Sequence, residues 1–343
     1  MTQQKIYDRQ IANWLILCAV VILGMILLGG ITRLTNSGLS MVEWKPLVGV
    51  IPPLSEQAWL ETFAKYKQFP EYQKINLGMT LDGFKSIFMY EYLHRVLGRL
   101  IGVLFFFPFL YFALKKRIRP GLMPKLIAMF FLGGFQGLLG WYMVKSGLVN
   151  DPYVSQYRLT AHLGVAVLIY AYMLWVIFDL LLSKEEAGNT KPQPFAGYSL
   201  ALLGLIFLMI LSGGLVAGTD AGFAYNTWPL MGNSFIPAQI YVGTPAWLDA
   251  FEDITTIQFN HRMFAYLLFV LIISFAFMVH KSAEISRARV GAILLVVALL
   301  AQIILGISTL LLHVAVPVAA AHQSGAMVLI TAMIFVSHAL TRP

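Results

Sequence analysis

Residues 12–32 read ANWLILCAVVILGMILLGGIT, an apolar stretch without a charged side chain. About 20 such residues are the length with which an α-helix crosses the hydrocarbon core of a bilayer. Seven similar stretches follow, at approximately 86–114, 126–145, 159–183, 196–217, 258–280, 290–312 and 319–339. With 59% hydrophobic and only 12% charged residues, the chain is too apolar for a soluble protein of this size. We therefore predict an all-α integral membrane protein with eight transmembrane helices.

Basic residues are distributed unequally between the segments that connect these spans. With a cytoplasmic N-terminus, the inner segments include Lys115, Lys116 and Arg117, whereas the outer segment 218–257 contains no Lys or Arg. This asymmetry follows the positive-inside rule and predicts that both termini are cytoplasmic. The first outer loop carries six Lys or Arg, but long loops obey the rule least. The net charge of +8 therefore reflects membrane orientation and not binding to nucleic acid.

The N-terminus and the cysteine content bear on the compartment and on redox chemistry. The first span begins soon after Met1, without a basic, Ser-rich leader, so we expect a bacterial inner membrane and not an organelle. Cys18 is the only cysteine, which excludes an intrachain disulfide and a Cys-based metal site. Any redox chemistry of this chain therefore needs a cofactor.

The two halves of the chain repeat each other weakly. Gly29-Gly30 matches Gly213-Gly214, and Gln136-x-x-x-Gly140 matches Gln302-x-x-x-Gly306. Each half contains an even number of spans, so we expect two tandem four-helix bundles related by a pseudo-twofold axis along the membrane normal. The expected units are an N-terminal unit at 1–183, a cytoplasmic linker at 184–195 and a C-terminal unit at 196–343.

The first outer loop contains a candidate short helix. Ser55 can cap it, and Trp59, Phe63 and Tyr66 share one face. Such a helix is either a lid on the membrane surface or an ordinary interfacial helix with an aromatic anchor.

Four histidines lie at corresponding places in the repeat: His94, His162, His261 and His322. A histidine inside a membrane needs a partner, and a single one is often only hydrogen-bonded to a neighbouring helix. These four lie near the outer, N-terminal ends of the even-numbered spans, so each half presents two imidazoles at one level. Two imidazoles in a four-helix bundle can ligate one heme iron from both faces. Zinc would need four ligands, and each half offers two.

Two arginines and three further histidines complete the candidate set. Arg95 and Arg262 directly follow two of the four histidines and either bind heme propionates or extend to outer lipid phosphates. The histidines at the predicted span ends, where interfacial placement explains them without a ligand role, are His280, His313 and His338.

The halves differ beside the histidines. Glu91 lies on the same helix face as His94, and its counterpart in the second half is the neutral Gln258. A carboxyl group near hydrocarbon can exchange protons at neutral pH, which favours a reactive first half and a structural second half. The alternative is that Glu91 only binds Arg95 or Arg99.

The most specific motifs of the chain are Gly29-Gly30-Ile31-Thr32-Arg33-Leu34-Thr35-Asn36-Ser37-Gly38-Leu39-Ser40, Glu91-x-x-His94-Arg95, Ala161-His162, Asn260-His261-Arg262 and Ala321-His322. Together they resemble the motifs of the heme A synthase family, in the subgroup shared by proteobacteria and mitochondria. The resemblance covers essentially the whole chain. A second subgroup of that family has paired outer-loop cysteines, which this chain lacks.

The resemblance implies an activity and a division of roles. Heme O would be oxidised to heme A by two hydroxylations of its C8 methyl group and loss of water. His94 and His162 would face the substrate heme O, whereas His261 and His322 would ligate a resident heme b. Glu91 would be the catalytic acid. Expected partners are membrane lipid, heme O synthase, cytochrome oxidase assembly factors and an unidentified redox partner.

Two other functions remain open at this stage. A cytochrome b-type electron carrier would hold a heme in each half without altering either. A heme transporter or chaperone would bind heme and release it unmodified. The difference between Glu91 and Gln258 disfavours the carrier, and paired axial ligands suit release poorly.

Overall fold

The computed structural model describes residues 3–43, 50–148, 152–182, 193–282 and 286–342. In this part of the chain eight helices are long and apolar enough to cross a membrane, which confirms the predicted fold class. They are α1 (Gln3–Leu34), α4 (Leu81–Leu114), α5 (Met123–Gly147), α6 (Gln156–Leu181), α7 (Ala196–Gly218), α9 (Ile254–Ser282), α10 (Ser286–Leu311) and α11 (Val316–Thr341). The shorter helices are α2 (Glu56–Tyr66), α3 (Pro70–Lys74) and α8 (Asp249–Glu252).

The long helices of each half form a ring in which each helix packs on two neighbours. In the first half the order is α1, α4, α5 and α6, with α6 returning to α1. In the second half α7, α9, α10 and α11 pack in the corresponding order. Helix α4 therefore lies diagonally opposite α6, and α9 lies diagonally opposite α11. This matched packing supports the repeat, and the pseudo-twofold axis stays a prediction.

The two rings contact each other through α1 on α11, α6 on α7 and α6 on α11. The Gln323 side-chain amide donates a 2.8 Å hydrogen bond to the carbonyl oxygen of Ile26. An ion pair of 2.9 Å joins Arg33 to Asp220 in the outer connections. Of the eight long helices, α11 is the most deeply buried and lies at the centre, whereas α5 is the most exposed.

Helix α4 begins earlier than the predicted residue 86. The Thr80 hydroxyl accepts a 3.2 Å hydrogen bond from the Gly83 N–H and caps the helix. The added residues, 81–85, include Phe84, which is buried with Phe88 against the first outer loop. Hydropathy alone does not detect this extension because its partner is protein and not lipid.

Helix α2 is the predicted short helix of the first outer loop. The Ser55 hydroxyl accepts a 3.2 Å hydrogen bond from the Ala58 N–H, which confirms the predicted cap. Phe63 and Tyr66 are buried, and they stack on Phe84 with ring centroids about 5 Å apart. The aromatic face of α2 is therefore directed at α4 and does not act as a lipid anchor.

A buried polar cluster ties α2 to α3. The Tyr66 hydroxyl donates to Glu71 Oε2 at 2.9 Å and accepts from the Asn76 amide at 2.8 Å. Glu71 is only 4% exposed, and burial raises the pKa of its carboxyl to about 7. The charge of this loop therefore changes near neutral pH.

The predicted linker 184–195 lies outside the described residues as far as 192. Its last three residues lead directly into α7, and the Gln193 N–H donates to the Leu340 carbonyl at 2.8 Å.

Candidate functional site

The four histidines of the repeat lie on the diagonally opposite helices of the two rings. His94 on α4 faces the helix of His162, α6, and His261 on α9 faces the helix of His322, α11. In each ring the two imidazoles are close enough to interact electrostatically, and all four are half-buried. The structure therefore brings together the predicted pairs, one in each half.

The histidines do not share one distance from the helix starts. His162 and His322 are the seventh residues of their helices and His261 is the eighth, but His94 is the fourteenth because α4 begins early. The field of a helix terminus falls off within the first turn. The predicted proximity to a positive helix end is therefore wrong for His94, and the field is weak at the other three.

A glycine on the neighbouring long helix faces His162 in the first ring and His322 in the second; these helices are α5 and α10. A Cβ atom added to Gly140 would lie 2.9 Å from His162 Cε1, and one added to Gly306 would lie 2.9 Å from His322 Cε1. Carbon atoms prefer separations of about 3.5–4.0 Å. Any larger residue would therefore push the imidazole away, so glycine is required for the ring position in both halves.

His94 and His261 each lie next to the first glycine of the Gly-Gly pair in their own half. A Cβ atom added to Gly29 would lie 3.0 Å from His94 Nε2, and one added to Gly213 would lie 3.5 Å from His261 Cε1. Gly29 thus makes room for the His94 imidazole, whereas a Cβ atom at Gly213 would be in ordinary contact with His261.

The polar atoms around the rings suit axial ligation. The Ser212 hydroxyl lies 3.1 Å from His261 Nδ1, which leaves Nε2 for a metal. The Nδ1 atoms of His162 and His322 are buried and have no hydrogen-bond partner in the described part of the chain. A buried nitrogen without a hydrogen-bond partner is costly, and a group bound at that same atom would remove the cost.

The donor set is more consistent with heme iron than with a closed metal site. Over the described ranges, no group of three or more His, Cys, Asp or Glu side chains converges. Two imidazoles per ring are sufficient for a heme with two axial ligands.

Glu91 is buried and is held by donors from the first outer loop and from its own helix. Its Oε2 accepts from the Ser40 hydroxyl and from the Met41 N–H, each at 2.8 Å. Its Oε1 accepts from the guanidinium of Arg95, one helical turn later. Of the two arginines that the sequence offered as partners, Arg95 therefore binds Glu91. The loop adds two further donors that the sequence did not indicate.

Gln258 occupies the equivalent position in the second ring and makes neutral contacts. Its amide donates to the carbonyl oxygens of Tyr225 at 3.0 Å and Gly222 at 3.4 Å. Tyr225 corresponds to Met41 in the repeat, so both side chains bind the same stretch of loop backbone. The rings therefore share a scaffold and differ in charge at one place.

Arg95 and Arg262 are also equivalent in their contacts. Arg95 donates to the carbonyl of Glu43 at 3.3 Å, and Arg262 donates to the carbonyl of Thr227, the residue that matches Glu43. Both guanidiniums are directed into the protein, so extension to outer lipid phosphates is not what the structure shows. Binding of propionates by these residues stays a prediction.

The three remaining histidines are placed differently from one another. His280 and His313 are exposed, in agreement with a position at span ends. His338 is only 1% exposed, and its Nε2 lies 3.2 Å from Asp179, which also binds Lys125 at 2.8 Å. His338 therefore lies at a span end as predicted, in the last turn of α11, but it is not exposed there and belongs to a buried polar cluster joining α5, α6 and α11.

The chain is similar along nearly its whole length to known proteins. The family described as cytochrome oxidase assembly protein matches residues 12–334. The heme A synthase of Nitrosospira multiformis is 50% identical over 343 residues, covering 99% of this chain and 96% of that relative. The heme A synthases of Nitrosomonas eutropha and Parvibaculum lavamentivorans are 50% and 47% identical, covering 96% and 97% of this chain and 94% of each relative.

Proposed function

Because this chain belongs to the family of cytochrome oxidase assembly proteins, we propose that its two helix rings hold two different hemes, a substrate heme O and a resident heme b. The chain is an oxidoreductase that converts heme O to heme A, and it is a multi-pass membrane protein. The proposal assigns the substrate to the unit 1–183 and the resident heme to the unit 196–343, with 184–195 as the cytoplasmic linker.

The substrate site is built around His94 and His162. Their imidazoles would ligate the iron of heme O and fix the porphyrin across the first ring. The reaction is two successive hydroxylations of the C8 methyl group, followed by loss of water from the geminal diol to leave a formyl group. Each hydroxylation replaces a C–H bond of the methyl carbon with a C–O bond; with water as the oxygen source it releases two electrons, which the redox partner would accept, and two protons, one of them from the C–H bond.

Glu91 would act on that methyl group. Its carboxylate would accept the released proton or stabilise positive charge that develops on the methyl carbon. Ser40, Met41 and Arg95 hold both of its oxygens, so the carboxyl group has one orientation before substrate binds.

The resident site is built around His261 and His322. The hydroxyl of Ser212 orients the first imidazole, and Gly306 gives the second its place. Heme b bound there would supply one-electron transfer between the substrate and an external redox partner. In this ring the buried, neutral side chain of Gln258 takes the place that the Glu91 carboxylate has in the first ring.

Arg95 and Arg262 would bind the heme propionates, which is one of the two roles that the sequence predicts for them. A guanidinium has five N–H donors, so loop carbonyls and a propionate can be bound together. The fixed position of each arginine against the loop would then set the tilt of the heme in its ring.

The difference between Glu91 and Gln258 carries the proposal. In a cytochrome b-type carrier the two hemes need no acid beside one of them. In a heme transporter or chaperone, paired ligands in both rings would oppose release. A buried carboxylate in one ring only is what an enzyme with one substrate heme and one electron-transfer heme requires.

We also propose a location and partners. The protein would lie in a bacterial inner membrane with both termini in the cytoplasm, as the distribution of basic residues predicts. Heme O synthase would supply its substrate there, and cytochrome oxidase assembly factors would receive its product.

Coexpression with a heme O synthase, in a host that makes no heme A, tests this function. Solvent extraction and separation of the hemes should show heme A together with the alcohol intermediate. Persistence of heme O alone, with a folded and heme-loaded protein, would defeat the proposal.

Replacement Glu91→Gln tests the assigned acid. The variant keeps one acceptor oxygen for the loop donors but loses the charge and the acceptor that faces Arg95, so it should retain bound heme and lose conversion by at least about 100-fold. Glu43→Gln is the matched control, because Glu43 contacts Arg95 through its carbonyl oxygen, which this change leaves intact. Loss of the resident heme from Glu91→Gln would instead identify a structural acid.

A further inference from the structure

Ser40 is the one side-chain hydroxyl that contacts the Glu91 carboxyl among the hydrogen bonds of the described residues. It is fully buried, and it lies 2.8 Å from Glu91 Oε2. The carbonyl oxygens of Ser37 and Ile87 are its other neighbours, at 3.0 and 3.4 Å. A hydroxyl has one proton to donate, and the shortest contact, to a carboxylate, is also the strongest of the three.

The internal repeat provides a comparison inside the same molecule. The residue that corresponds to Ser40 in the second half is Ala224, and the residue that corresponds to Glu91 is Gln258. The half with the acid thus has the hydroxyl, and the half with the amide lacks it. The amide nitrogen donates to loop carbonyls, and the buried amide oxygen has no hydrogen-bond partner among the described residues.

The backbone around these residues is matched, so the hydroxyl is not explained by a different loop path. Arg95 and Arg262 bind equivalent carbonyls, and the equivalent residues Met41 and Tyr225 contact the two side chains, Met41 through its N–H and Tyr225 through its carbonyl. A structural need of the loop for Ser40 would apply to Ala224 as well. The hydroxyl therefore goes with the carboxylate.

We propose that Ser40 is a positioning residue for the oxidation, because its hydroxyl fixes the orientation of Glu91 toward the substrate methyl group. This inference rests on the proposed function of Glu91. With the Met41 N–H it holds Oε2, while Arg95 holds Oε1, so the carboxyl plane is set from both sides. Without the hydroxyl, Oε2 keeps only the Met41 N–H as a donor, so the orientation of the carboxyl group is held less firmly.

The expected effect is on turnover and not on binding. Replacement Ser40→Ala, which reproduces the residue of the second half, should lower the formation of heme A and of the alcohol intermediate by about 10- to 100-fold. The amounts of resident heme and of copurified heme O should stay unchanged, because His94 and His162 are not altered. Ser40→Thr keeps a hydroxyl and should restore most of the conversion.

Two control variants separate this role from a general effect of the loop or of the repeat. Ser37→Ala removes an equally buried hydroxyl of the same loop, whose side chain contacts Thr35 and not Glu91. Ala224→Ser adds a hydroxyl at the equivalent place in the second half. Both variants should convert heme O as the unaltered protein does.

The experiment compares these full-length variants and Glu91→Gln in the coexpressing host, at several levels of heme O synthase. Failure of Ser40→Ala to reduce conversion at saturating heme O, while Glu91→Gln is inactive, overturns this inference alone. Full conversion by Glu91→Gln overturns the proposed role of the acid. Loss of resident heme from Ser40→Ala, or an equal loss of conversion in Ser37→Ala, shows a folding role and also overturns the inference.

Discussion

Methyl groups added at Gly140 and Gly306 would separate the roles of the two rings. Each new Cβ atom would lie 2.9 Å from a histidine carbon, against a preferred separation of at least about 3.5 Å. The imidazole of His162 or His322 must then move by roughly 0.6 Å or more. Displacements approaching 1 Å cost about 100-fold in a positioned reaction, and overpacking costs about 1–3 kcal/mol of stability.

The two replacements should have different consequences although they are chemically identical. Gly140→Ala should lower conversion of heme O by about 10- to 100-fold and leave the resident heme in place. Gly306→Ala should reduce the resident heme itself, with conversion falling in proportion. Absorption spectra of the reduced purified protein give the heme content, and solvent extraction gives the ratio of heme A to heme O.

Gly137→Ala is the control for this pair. It lies on the same helix as Gly140, and an added Cβ atom there would have no heavy atom within 4 Å. Equal loss of resident heme in Gly140→Ala and Gly306→Ala would refute the division into a substrate ring and a resident ring. Unchanged spectra and conversion in both would refute the inference that these glycines set the imidazole positions.

The remaining predictions concern the outer loop and the interface between the rings. The pKa of Glu71, about 7 in the folded loop against an ordinary value of 4.5, means that the folded loop binds the proton more tightly. The free energy of opening of this loop, measured from amide hydrogen exchange corrected for intrinsic rates, should therefore be greatest below pH 4.5. It should decline by up to about 3 kcal/mol as the pH rises through 7. Glu71→Gln should remove this slope, and an unchanged slope would contradict the assignment. Gly30→Ala should lower the unfolding temperature, because its Cβ atom would overlap the Gln323 side chain that binds Ile26. The double replacement with Gln323→Ala should recover part of the loss, and no recovery would locate the strain elsewhere.

The sequence predicted those features that depend on chain length and on local pattern. Eight spans follow from hydropathy, and the Ser55 cap follows from one residue and its successors. The pairing of histidines by halves follows from the repeat. The positions of the four histidines in the repeat follow from their matched spacing, and no knowledge of the helix packing is needed to find them.

Features that depend on distant contacts were not predicted. The early start of α4 depends on Phe63 and Tyr66 of another helix, and the burial of His338 depends on Asp179, which is far away in the chain. Ser40 lay inside a recognised motif, but its contact with Glu91 joins two elements that hydropathy cannot place relative to each other. The comparison of Ser40 with Ala224 was the available signal for it.

The equivalent loops of the two rings also bear on how a duplicated protein acquires two functions. The backbone N–H of Met41 donates to the Glu91 carboxylate. At the equivalent Tyr225, the backbone carbonyl accepts from the Gln258 amide. Either side chain can therefore be accommodated at the facing helix position without rebuilding the loop. After gene duplication, side-chain changes at positions 40 and 91, or at 224 and 258, would not have required a new loop path. The scaffold could remain constant while selection acted on each copy separately.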